Sequence, residues 1–130
     1  MKNREGMWRL ACAVAALLWA AAVSAHHPET LYVQDRTQTV EGTLVEVVLR
    51  NPHSFIYLDT PAEHGQTTRW TIEWLAWFQL NRQGVTSQTL KSGDHLIIRG
   101  FPASNVQDHR LWLRTITRPH DGWKWNGTFE

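Results

Sequence analysis

Two histidines stand side by side at His26 and His27, and the residues before them decide what chemistry they can do. If the chain is cut after Ala25, His26 becomes the N-terminal residue. Its free amine and Nδ1 can then close a six-membered chelate ring on a metal, and a second imidazole completes a T-shaped site that suits Cu(II). A second arrangement uses the amine, the backbone nitrogen of His27 and the His27 imidazole. Pro28 carries no amide hydrogen, so no further backbone nitrogen can join. Both arrangements need a deprotonated amine, and a reference pKa of about 7.7 to 8.0 lets copper displace that proton near neutral pH. His53 is the expected partner imidazole, with His95, His109 and His120 in reserve, and copper or another late transition metal is the cofactor implied. The plainer alternative is a solvated tail at His26 and His27, with His53 a turn residue bonded to backbone. His64, beside Gly65 in a polar loop, reads as solvated.

The cut itself is read from the first residues. Lys2, Arg4 and Arg9 precede an uncharged apolar run from Leu10 to Val23, and Val23-Ser24-Ala25 offers modest side chains to a signal peptidase. The run is shorter than the roughly 20 residues that span a bilayer, so residues 1–25 are expected to be a cleavable signal peptide and not a lasting membrane anchor. The expected location is the periplasm or outside the cell. Cys12 lies at the start of the apolar run, where a lipid-modification site would lie at its end. Cleavage removes this single cysteine, which leaves the mature domain without a disulfide. It also leaves 10 basic and 11 acidic side chains, a balance that excludes the basic excess of a nucleic-acid or anionic-membrane binder.

Zinc is disfavoured, because a structural zinc site uses paired cysteines and neither HxH nor HExxH occurs. Thiol catalysis is excluded with the cysteine, and neither GxSxG nor a glycine-rich phosphate loop is present, so no enzyme is expected. Asn126-Gly127-Thr128 matches a glycosylation sequon in a short tail. Six tryptophans lie in the mature chain, and most are expected in the core of a domain without disulfides. The alternative use is an aromatic platform of Trp70, Trp74 and Glu73 for a sugar or a small ligand, or a docking face for an envelope protein. Glu73 is otherwise expected to pair with Arg69 on the surface.

These residues need elements to position them. After a polar N-terminal arm, residues 26–38, Thr39–Arg50 reads as a long valine-rich strand in which Gly42 marks a bulge or bend. Asn51-Pro52-His53 breaks the run before a second strand, Ser54–Thr60. Thr67–Trp74 alternates Trp70, Ile72 and Trp74 with Arg69, Thr71 and Glu73, a half-buried third strand. Leu75–Arg82 has helical spacing with Gly84 as its stop, and turns at Lys91–Asp94 and Asn105–Asp108 lead into strands at His95–Phe101 and His109–Arg118. Trp123 and Trp125 frame a C-terminal turn. This order predicts an all-β domain over residues 39–130, a five-stranded OB-fold-like open barrel with one short helix between strands three and four. A small open β-sandwich is the alternative.

The paired histidines after a signal peptide, Glu41-Gly42-Thr43-Leu44-Val45, Asn51-Pro52-His53, Trp70 with Glu73, Leu90 to Asp94 and Asp121-Gly122-Trp123 together resemble the bacterial exported family of unknown function DUF6152. The resemblance implies a small exported β-domain without an assigned activity.

Overall fold

The computed structural model describes residues 31–127; the expected signal peptide, His26 and His27, and Thr128 of the sequon lie outside the described residues. Six strands form one continuous sheet: β1 (Gln38–Val48), β2 (Ser54–Pro61), β3 (Thr67–Trp74), β4 (His95–Pro102), β5 (Arg110–Arg118) and β6 (Trp123–Asn126). A single short helix, α1 (Trp77–Arg82), lies between β3 and β4. The sheet order is β3-β2-β1-β4-β5-β6, and a parallel pairing of β3 with β5 joins its two sides into a closed five-stranded barrel. The expected all-β barrel with one helix is therefore present, closed where the sequence reading left it open.

Closure depends on β1 serving two partners. Its first half pairs with β4 and its second with β2, and Thr43 faces both His95 and Asp59. The strand must curl there. A Cβ at Gly42 would lie 2.2 Å from the Asp59 carbonyl oxygen, so only glycine lets the backbones approach. The bulge itself falls beyond Gly42, between Leu44 and Glu46. A second bulge follows Arg99, and a Cβ at Gly100 would lie 2.4 Å from the Trp112 carbonyl oxygen. This irregularity shifts the inward phase of β5, so that Leu111, Leu113 and Ile116 all reach the core. They meet Leu44, Ile56, Leu58, Ile72, Leu96 and Ile98, all buried.

The helix closes one end of the barrel through the fully buried Leu80. Gln79 accepts from the Ala76 N–H at the helix start, and Gly84, at φ +82°, ends it as the sequence predicts. Among the described residues no helix is long and apolar enough to cross a membrane.

The C-terminal turn is more than a turn: it returns the chain as β6, antiparallel to β5. Trp125 is thereby buried edge-on against Trp74, with ring centroids 5.1 Å apart, and its Nε1 donates to Gln83 Oε1. Arg118 holds this turn, donating to Asp121 and to Asp94 Oδ2 and lying over the Trp123 ring. The Arg118 guanidinium and the Trp123 N–H draw the Asp121 carboxyl down to about 2. Burial pushes Asp94 up, but the Lys91 N–H and Arg118 outweigh it and leave it below its ordinary value.

A carboxyl whose folded-state pKa is depressed contributes stability above its unfolded value, near pH 4, and loses it as pH falls toward the folded value. Asp121→Asn is therefore expected to flatten the loss of stability between about pH 4 and pH 2, read by urea titrations across that range; an unchanged pH profile would refute the linkage. Gly42→Ala is expected to cost about 1–3 kcal/mol through overpacking against the β2 backbone, measured as a lower denaturation midpoint.

Candidate functional site

The side chains with chemical potential converge on Glu73, on the outer face of the closure between β3 and β5. Ile72 and Trp74 point into the barrel, so the intervening Glu73 points out. Its register partners are Phe55 on β2 and Trp112 on β5. It is nonetheless only 6% exposed. A carboxylate taken from water at that depth must be compensated by donors.

Three donors reach it. The Tyr32 hydroxyl donates to Oε2 at 2.5 Å, the Nδ1–H of His53 donates to Oε1, and Arg110 Nη2 approaches Oε2 at 3.5 Å. Burial, and then the hydrogen bond to Glu73, raise the Tyr32 phenol well above its ordinary value, so the hydroxyl keeps its proton.

Each donor is set by a different local device. Tyr32 belongs to the arm, which runs beside the end of β4: Tyr32 bridges to Ala103, Val33 N–H donates to the Pro102 carbonyl, and Ser104 N–H donates to the Leu31 carbonyl. The ring packs on Trp112 at 6.0 Å and buries itself outside the main core. Arg110 begins β5 opposite Thr71. His53 ends the tight connection between β1 and β2, which contains a cis Asn51–Pro52 bond. That connection is pinned on both sides. Ser54, fully buried, exchanges hydrogen bonds with Arg50, while the Trp77 N–H donates to the Arg50 carbonyl and the Phe78 N–H to Asn51 Oδ1.

His53 therefore sits at one end of the barrel, with its imidazole 38% exposed. Its Nδ1 is committed to the carboxylate, and Nε2 is the remaining ring nitrogen. A carboxylate behind Nδ1 fixes the tautomer and the ring orientation, which is the usual support of a metal-binding histidine. A surface depression of about 270 Å³ lined by Arg50, Asn51, Pro52, His53 and Phe55 lies beside the ring.

The other expected site residues are placed apart. His95 contacts Glu41 at 2.8 Å on the exposed surface, His120 lies 3.9 Å from Asp121, and His109, in a left-handed conformation, stands edge-on to Trp70. His64 occupies a left-handed turn position. Among the described residues, no three of His, Cys, Asp and Glu gather as a metal site would require.

Trp70, Trp74 and Glu73 do not form one platform. Trp74 is 1% exposed in the core, Trp70 packs half-buried against it, and Glu73 points to the opposite face because successive strand residues alternate. Nor does Glu73 pair with Arg69, which instead forms a two-pronged ion pair with Asp59 across β2 and β3. Sequence reasoning missed Tyr32 and Arg110. The apolar trio Leu31-Tyr32-Val33 inside a polar arm was a signal that the arm docks. Arg110 offered none, since its approach to Glu73 requires knowing that β3 and β5 are neighbours.

Removing the Tyr32 hydroxyl deprives a buried carboxylate of one of its close donors. Tyr32→Phe is expected to cost about 1.5–3 kcal/mol, the range for hydrogen bonds to charged groups, and to speed amide exchange at Val33; a variant as stable as the parent would show that water replaces the phenol without loss.

Comparison with curated proteins finds no match. The model for a family of unknown function, DUF6152, matches residues 13–112, from the apolar N-terminal run to the first residues of β5. Asp121-Gly122-Trp123 and the whole of β6 lie beyond that span. With most of its length inside the match, the chain belongs to DUF6152.

Proposed function

We propose that this protein is an exported metal-binding module in which a processed N-terminus at His26, with His53, holds Cu(II). The observation that carries the reading is the pairing of His53 with Glu73. It leaves a half-exposed imidazole with Nε2 directed away from its anchoring carboxylate and a fixed tautomer, the state in which histidine binds copper.

The position of Tyr32 supports it as well. Tyr32 and His53 share one carboxylate, so the arm is anchored within a side chain's length of the proposed ligand. Four residues lie between His27 and Tyr32, and the five steps of chain from one to the other allow a reach of up to about 17 Å. In this reading His26 supplies the amine and Nδ1, His53 supplies Nε2, and His27 offers the alternative chelate through its backbone nitrogen. Glu73 touches no metal; it orients His53.

Metal-free mature protein, purified from the compartment to which it is exported, is expected to take up one equivalent of Cu(II) with a nitrogen-rich EPR spectrum and affinity tighter than micromolar. His53→Ala is expected to remove one nitrogen from that spectrum, one added residue before His26 to abolish the chelate, and Glu73→Gln to weaken binding about 10- to 100-fold through loss of outer-shell support. A spectrum indifferent to both the added residue and His53→Ala would overturn the reading.

A further inference from the structure

The depression beside His53, about 270 Å³ in volume, is walled by Arg50, Asn51, Pro52, His53 and Phe55. All of these side chains reach solvent: Arg50, Asn51 and Pro52 are exposed, and His53 and Phe55 are half-buried. The backbone that carries them is held from both sides, by Ser54 on Arg50 and by the Trp77 and Phe78 N–H groups on the Arg50 carbonyl and Asn51 Oδ1. A ligand therefore meets groups already in position, which lowers the cost of binding in a small open site.

Charge in the depression is unbalanced. The Arg50 guanidinium lies over the Phe55 ring, 4.8 Å from its centre, and among the described residues no carboxylate pairs with it. Arg69, Arg110 and Arg118 show the ordinary arrangement, each against an Asp or a Glu. Glu73, behind His53, does not line the depression, and its charge is already met by Tyr32, His53 and Arg110. A guanidinium held on an aromatic ring keeps a planar fork of N–H donors, the geometry that grips a carboxylate. Asn51 adds a donor, for its Oδ1 is taken by the Phe78 N–H and its Nδ2 has no partner among the described residues.

We infer that this depression binds a small monocarboxylate with an apolar body, the carboxylate on the Arg50 guanidinium beside Asn51 Nδ2 and the body against Pro52 and Phe55. One guanidinium matches one negative charge. A phosphate dianion would exceed that charge and gain nothing from the two apolar rings, and an amine would find no acid in the lining. His53 is a wall and not an anchor: with its Nδ1–H given to Glu73, Nε2 is a bare acceptor that repels an anion's oxygen. Recognition of the carboxylate therefore rests on Arg50 and needs no metal on His53.

Phenylacetate, its neutral isostere phenylacetamide and inorganic phosphate are titrated separately into ¹⁵N-labelled, metal-free mature protein at neutral pH. Phenylacetate is expected to shift the backbone N–H signals of Asn51, His53 and Phe55 and to bind about 3- to 10-fold tighter than phenylacetamide, the size of a charge-assisted pair still open to water. Phosphate is expected to bind more weakly than phenylacetate. Arg50→Gln is expected to make phenylacetate and phenylacetamide equal, and the fold is expected to survive it, since Arg50 serves the connection through its backbone and its side chain is exposed. Equal affinity of the two isosteres for the parent protein would overturn the proposal. So would a preference for phenylacetate that persists in Arg50→Gln, shifts centred away from residues 50–55, or tighter binding of phosphate. Because the protein is metal-free throughout, none of these results depends on whether copper binds at His26 and His53.

Discussion

A carboxylate buried on the outside of a barrel is a demand that the surrounding chain must satisfy, and the arrangement around Glu73 follows from meeting it. Desolvating an ionised group costs several kcal/mol unless donors replace the lost water. The donors come from segments far apart in sequence: Tyr32 from the arm, His53 from the first hairpin connection and Arg110 from the start of β5. Each contact has a mechanical result. The arm is held against β4, the connection before β2 is held in orientation, and the neighbourhood of the closure is sealed by Tyr32 and Trp112. A single carboxylate thus links parts that the hydrophobic core does not reach, since Tyr32 packs outside the main core cluster.

Glu73 can play this part only because the sheet closes in one register. Phe55, Glu73 and Trp112 stand side by side across β2, β3 and β5, while Ile72 beside them points inward. Slipping β3 by one residue would turn Glu73 into the barrel and Ile72 out to water, exchanging a compensated charge for an uncompensated one. The register is held in turn by the curl at Gly42 and the bulge beside Gly100, where two backbones come closer than any side chain would permit. Electrostatics on the outer face and steric freedom at two glycines therefore specify the same closure.

How far this was legible in the sequence differs by kind of signal. Period-two alternation and the breaks at Asn51-Pro52 and Gly84 mark the first five strands and the helix, because those signals are local. Gly42 announced a special backbone position, though its reason proved to be close approach, with the bulge beyond it. β6 was missed despite an Asp121-Gly122 turn followed by Trp-Lys-Trp, a hairpin signature, since a short terminal strand shows little alternation to count. The site was legible in part. His53 was found through its proline break, but the role of Glu73 was not, because a glutamate at an alternating position ordinarily faces water. Its burial comes from Tyr32, 41 residues away, and from the closure with β5, neither of which a local pattern encodes.

The adjacent positions 73 and 74 point to opposite sides of β3. Glu73 gathers polar donors on the outer face, where Tyr32 and Trp112 restrict water, and Trp74 packs in the core edge-on to Trp125. Strand alternation keeps these environments from mixing: the side chains share no partner, and each is tied to different elements, Glu73 to the arm and β5 and Trp74 to β6 and the segment after α1. Coupling between them must therefore pass through the backbone of β3 itself. That backbone is paired with β2 over its full length and with β5 at Thr71, Ile72 and Glu73. In this fold the alternation of side chains along β3 lets a polar cluster and the apolar core lie one residue apart, each with its own partners.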